Sequence, residues 1–198
     1  MPNKARILVV LLVVAVSVAA GRSAAAAVLN RLYLDEMANE SAVIVHATVV
    51  SSRSEWSAGR TVIQTIYTAR AHQYLKGFLG ETFEYRQRGG EVGILAMYVP
   101  GSPVFQPGEE VLMFLWTDGA SGTYQCLGFE QGVLRVREEN GIKVVNRSIP
   151  IRAESGTRPA AVALGPQALA TSRNLRALMG EVALAVARAE TAARKEAR

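Results

Sequence analysis

The run Ala42-Val-Ile-Val-His-Ala-Thr-Val-Val-Ser-Ser52 constrains the fold more than any other part of the sequence. Its β-branched residues stiffen the side chains and favour an extended backbone. Because side chains alternate across a strand, Val43, Val45, Ala47 and Val49 form one wholly apolar face, while Ile44, His46, Thr48 and Val50 form a mixed one. A second run, Val111-Leu-Met-Phe-Leu-Trp116, has no polar face and reads as a central strand buried on both sides.

Between and after these runs, further strand signals recur at short spacing. Thr61 to Tyr74 is rich in Val, Ile, Thr and Tyr and should pair with the first run as a hairpin across the polar segment 53–60. Thr82 to Arg88 alternates aromatic and polar residues, as a half-exposed strand does, and Gly89-Gly90 ends it. The stretch from Val92 to Val99 is looser and closes on Pro100-Gly101-Ser102-Pro103, which excludes regular structure. Pro107-Gly108-Glu109-Glu110 turns into the central strand. Thr123 to Gln131, Gly132 to Arg137 and Ile142 to Asn146 supply three more strands, the last two joined by a tight Asn140-Gly141 turn. These signals predict a mainly β domain, a small OB-like β-barrel of five to seven strands. A short helix over residues 29–38 precedes it. The chain ends in an amphipathic helix, whose Leu175, Leu178, Met179, Val182 and Val186 fall at helical spacing and are expected to dock on the same domain.

The organisation of the chain follows from its ends. Lys4 and Arg6 precede an apolar run from Ile7 to Ala20, and small residues follow around Ala24 to Ala27. This order is that of a secretory signal peptide, assigned to residues 1–26. This 14-residue run, interrupted only by Ser17, is too short for a stable membrane span, which needs about 20 apolar residues. The alternative is an uncleaved anchor that borrows the alanine tract for length, with its basic residues kept on the cytoplasmic side. Both readings export the rest, placing it in the periplasm or outside the cell. The expected units are the signal at 1–26, the barrel at 28–149, a linker at 150–168 and the C-terminal helix at 169–198.

Lys4, Arg6 and Arg22 leave with the signal, so 19 of the 22 Lys and Arg face 17 Asp and Glu in the mature chain. A nearly neutral domain without a basic face lacks the electrostatic footprint of nucleic-acid binding. Cys126 is the single cysteine, so no intramolecular disulfide can form and stability must come from the core. Its place in Tyr124-Gln-Cys-Leu-Gly128 predicts a buried thiol.

No catalytic or metal-binding signature is present: no Gly-x-Ser-x-Gly, no His-Glu-x-x-His, no Cys-x-x-Cys. No cofactor is expected. His46 and His72 are each isolated in sequence, but pairing of the first two strands would bring them together, with Glu84 as a possible third group. Glu109 and Glu110 point to opposite faces of an extended chain and read as solvated turn residues. Candidate ligand contacts are Arg86, Arg88, Gly89 and Gly90, whose guanidinium groups and amides suit an anion or simply a tight turn. Tyr98 and Phe105 join them from the segment Val92 to Pro107, which is longer than a hairpin needs.

The motifs Ala42-Val-Ile-Val-His-Ala-Thr-Val, Tyr67-Thr68, Tyr74-Leu-Lys-Gly77, Arg88-Gly-Gly90 and Phe105-x-x-Gly108-Glu-Glu-Val-Leu-Met-Phe-Leu115 resemble a family of uncharacterised exported bacterial proteins over roughly residues 32–137. The strand plan is also similar to the OB barrel of netrin-like modules and of tissue inhibitors of metalloproteinases. The resemblance implies a non-enzymatic binding or inhibitory module. Those inhibitors act through an N-terminal cysteine and are pinned by disulfides, whereas Cys126 is alone here, so no functional residue carries over. The expected function is an exported, non-catalytic binding module, most simply for an extracytoplasmic protein, with membrane contact only if the N-terminal segment is uncleaved. The competing reading is a hydrolase built on His46, His72 and nearby acids. Intact mass measured on the exported protein should show loss of the first 20–27 residues; retention of Met1 would establish the anchor instead.

Overall fold

The computed structural model describes residues 31–119, 122–145 and 173–196. The expected signal peptide and the whole of the expected linker therefore lie outside the described residues. Helix α1 (Leu34–Glu40) leads into β1 (Val43–Trp56), β2 (Ile63–Lys76) and β3 (Thr82–Arg88). Two short strands follow, β4 (Gly90–Val92) and β5 (Leu95–Met97), then β6 (Glu110–Asp118), β7 (Thr123–Cys126), β8 (Val133–Glu139) and β9 (Ile142–Val145). The two-residue β10 (Arg173–Asn174) runs directly into helix α2 (Leu175–Glu196).

All ladders are antiparallel, and the main sheet has the order β10-β9-β8-β6-β1-β2-β3. One edge of β6 pairs with β1. The other edge forks, Val111 to Met113 pairing with β8 and Leu115 to Asp118 with β7. The sheet is open rather than a barrel closed by a continuous ladder. Its strands nonetheless curl far enough that β3 lies beside β7.

The two faces of β1 and β6 build two cores. Val43, Val45, Ala47 and Val49 join Val111, Met113, Leu115, Tyr67, Phe83, Tyr85, Phe105 and Cys126 on the concave side. On the convex side Ile44, Leu112 and Phe114 are covered by Met37 and Ala38 of α1 and by Leu175, Leu178, Val182, Ala185 and Val186 of α2. The period-2 reading of the first strand is thus realised, and its mixed face grades from Ile44 under the helices to the exposed Val50. The C-terminal helix docks on its own domain, as its apolar stripe predicts.

Several boundaries differ from the sequence expectation. β1 continues through Arg53, Ser54, Glu55 and Trp56, which pair with Ile66, Thr65, Gln64 and Ile63, so the expected polar turn shrinks to the hairpin tip. Cross-strand pairing overrides the weak strand propensity of those residues. The strand expected over Thr123 to Gln131 ends at Cys126, because Gly128 adopts a left-handed conformation and leads into a 3-10 turn at Phe129–Gly132. Residues 92–99 are less loose than expected, since β4 and β5 form a small hairpin there. The Lys-Gly corner after β2 has a physical reason. Lys76 Nζ donates to the carbonyl oxygens of Ala38 (2.7 Å) and Asn39 (3.0 Å), satisfying the end of α1. Gly77 has φ +65°, and a Cβ there would lie 2.6 Å from the Ala42 carbonyl oxygen. At the other end of the sheet, Asn140 and Gly141 both have positive φ, as their turn requires.

Cys126 is buried in the concave core and unpaired. Burial pushes its thiol well above the ordinary cysteine range. Ellman's reagent should find no reactive thiol in the native protein and one after guanidinium denaturation; rapid native reaction would mean that this core opens.

Candidate functional site

The residues singled out in the sequence fall into three different settings. Arg86 and Arg88 lie on the outer face of β3, whose alternate residues Phe83, Tyr85 and Gln87 are buried. Arg86 reaches Glu55 at 3.5 Å, and its neighbour Glu84 is held by Arg53 through contacts of 2.7 and 3.1 Å. Gly89 donates its amide to the Ile63 carbonyl (2.8 Å), and its own carbonyl accepts from Thr65 Oγ1 (2.8 Å). A Cβ on Gly90 would run into the hydroxyls of Thr65 and Ser54. The two glycines are therefore accounted for by a close corner, and the Gly89 amide is spent within it. Phe105 is a core residue and not a surface contact. It is only 2% exposed, with its ring 5.0 Å from that of Tyr67 and 5.5 Å from that of Tyr85, both edge-on.

Tyr98 is the exception, being 83% exposed. Gly89 and Gly90 adjoin Met97 and Val99 on either side of it. It shares the β4–β5 hairpin and the following loop with fully exposed Ile94, Leu95 (54%) and Val104 (62%). Large apolar side chains are thus concentrated in water on this one segment. This segment is also tied down. Ser102 Oγ donates to the Arg88 carbonyl (2.7 Å), the Glu130 amide to the Gly101 carbonyl (3.1 Å) and Arg135 Nη2 to the Val104 carbonyl (3.0 Å). Beside Val104, Pro103 and Phe105 are buried and root the loop in the concave core. Arg135 closes the base by pairing with Glu109 (2.5 Å) and Glu130 (2.7 Å), with its guanidinium 5.7 Å from the Phe105 ring centroid.

On the convex side the histidines do meet. Strand β2 carries an extra residue opposite β1 here, since His46 pairs with Gln73 and Ala47 with Ala71, leaving His72 as a bulge. The bulge re-aims His72, and the two imidazole centroids lie 4.9 Å apart. The carboxylate that completes the cluster is Glu110, not Glu84. His46 Nε2 is 2.6 Å from Glu110 Oε1, and Lys143 Nζ donates to both Glu110 oxygens at 2.7 and 3.0 Å. His72 Nε2 pairs with Thr48 Oγ1 at 2.7 Å. Glu109 and Glu110 do point to opposite faces, but each is a half-buried ion-pair partner where a solvated turn residue was expected. Lys143 gave no sequence signal, because its approach depends on β9 folding back beside β8, which itself pairs with β6.

The cluster holds two imidazoles whose hydrogen-bond partners are separate. A nucleophile activated by imidazole needs a third group that orients that imidazole. The hydroxyl sits on His72 while the carboxylate sits on His46, so the chain of three is split between two rings. No group of three or more His, Cys, Asp or Glu that could hold a metal ion is found among the described residues.

Burial lowers the His46 pKa, outweighing the Glu110 hydrogen bond and charge that raise it. The ring is then neutral near pH 7 and donates its Nε2 proton to the ionised Glu110. Burial alone would raise the Glu110 pKa, but the hydrogen bonds from Lys143 and His46 leave it lowered. A histidine depressed in the folded state takes up its proton at higher pH when unfolded. Its contribution is intact above pH 6.5, the reference value, and is lost as pH falls below it. Glu110 adds a second loss below its reference of 4.5. The unfolding temperature should therefore drop as pH is lowered from 7 to 5. His46→Gln, which can still donate to Glu110, should flatten that slope; parallel curves would show that His46 does not titrate there. Comparison of the chain with known protein families, characterised proteins and solved structures returns no match.

Proposed function

We propose that this chain is an exported, non-catalytic binding module that recognises another extracytoplasmic protein through the β4–β5 hairpin and the loop after it. The observation that carries this reading is the set Ile94, Leu95, Tyr98 and Val104, exposed together on a segment whose backbone is fixed by Ser102, Arg135, Pro103 and Phe105. Fixing exposed apolar groups before binding lowers the ordering cost of association, and aromatic anchors dominate interface energies. The N-terminal signal order in residues 1–26 supports export. A netrin-like barrel is part of the same proposal, supported by the approach of β3 to β7 around the aromatic core. The split partners of His46 and His72 weigh against the hydrolase reading.

The test is capture of partners from the envelope and secreted fractions of the source organism. Wild type is compared with a triple variant, Ile94→Ser, Leu95→Ser and Tyr98→Ser. All three side chains are exposed, so stability should change by no more than about 0.5 kcal/mol per site. The expected result is a specific protein retained by wild type and lost with the variant; equal capture by both would remove the hairpin from the interface.

A further inference from the structure

A cleft of about 510 Å³ opens on the convex side, between the first turns of α2 and the β1–β2 ladder, beside the His46 cluster. Its volume lies within the range of small-molecule sites, roughly 300–1,000 Å³. Leu75, Met179, Gly180 and Ala183 supply an apolar wall, and Lys143 and Arg176 stand among the polar residues that line it. The sheet is irregular at this place. The ladder skips Leu75 as well as His72, so both bulged residues of β2 flank the two paired positions Gln73 and Tyr74, and β-bulges concentrate beside sites because they redirect side chains.

Gly180 is the second unusual feature. Glycine inside a helix is unfavourable relative to alanine. Packing does not require it here, because apart from its chain neighbours and the backbone of its own helix no atom lies within 4 Å of the position a Cβ would take. Its effect is to leave the cleft wall low. The charges give the occupant its polarity. Lys143 is committed to Glu110, whereas Arg176 is exposed and has no ion-pair partner among the described residues. A guanidinium in that state at the end of an apolar cleft is matched by a carboxylate, which it can bind with two parallel hydrogen bonds.

The geometry points to this cleft as a binding site for a small amphiphilic carboxylate, its head on Arg176 and its apolar body along Leu75, Met179 and Gly180. The site is separate from the hairpin surface and does not depend on it.

The probe is sodium decanoate below its micelle concentration, titrated into protein expressed from the full sequence and followed by amide proton–nitrogen correlation spectra. Saturable shifts confined to Leu75, Met179, Gly180, Ala183 and their neighbours are expected. Arg176→Gln should weaken the affinity about tenfold. Gly180→Leu should abolish binding while keeping or raising the unfolding temperature, because leucine is the better helix former. Ala183→Leu, at another exposed position on the same wall, provides an independent block. Absence of localised saturable shifts would overturn the assignment. So would undiminished binding to both leucine variants, or equal binding of the uncharged decanol.

Discussion

The pairing of β1 with β6 is the contact on which the rest of the structure rests. Val43 to Thr48 lie against Glu110 to Leu115, and every residue from Val43 to Ala47 and from Val111 to Leu115 is buried. Two strands with apolar groups on both faces cannot satisfy themselves with one layer. One face is covered by the helices. The other is covered by the curled strands β2, β3 and β7, with Phe105 brought in from the loop. Since a buried leucine-sized side chain contributes about 1.5–3 kcal/mol, loss of either cover would leave several such groups in water at once.

That two-sided arrangement also gives the molecule two distinct surfaces. The concave core is sealed by aromatic rings and by Arg135, and its outward product is a well-braced hairpin with exposed side chains. The convex core is sealed by α2, whose start is pinned to the sheet through β10, where Arg173 pairs with Glu181 of the helix. Polar chemistry gathers where α2 stops covering the sheet. His46, His72, Glu110 and Lys143 occupy that margin because ionisable groups can be half buried there and still reach partners or water.

Local pattern carried much of this architecture. The alternating faces of β1, the limits of β3, the Asn140-Gly141 turn and the α2 stripe follow from propensity and periodicity, which need only neighbouring residues. The bulges at His72 and Leu75 did not show themselves, since ordinary residues occupy them and only the register of two distant strands reveals the extra position. For the same reason the meeting of the histidines could be anticipated but not its carboxylate. Glu84 is nearer in sequence, yet it belongs to Arg53, while Glu110 arrives from β6, the direct neighbour of β1. Tyr98 and Phe105 share one aromatic-rich loop, and sequence could not tell them apart. What separates them is which side of a braced backbone each one occupies.

The fork in β6 and the two acids at its start have one more consequence. A strand with polar residues on one face reports a one-residue slip by burying a charge. The run Val111-Leu-Met-Phe-Leu115 gives no such report, because odd and even residues are equally apolar. Its alignment must be read elsewhere, and Glu109 and Glu110 are placed to do so. Glu109 meets Arg135 on one side, and Glu110 meets His46 and Lys143 on the other. A slip by one position would present each acid to the wrong side and leave both sets of cations unmatched. The charged pairs thus act as a key that selects one alignment from two nearly equivalent hydrophobic ones, a role in specificity distinct from any contribution to net stability.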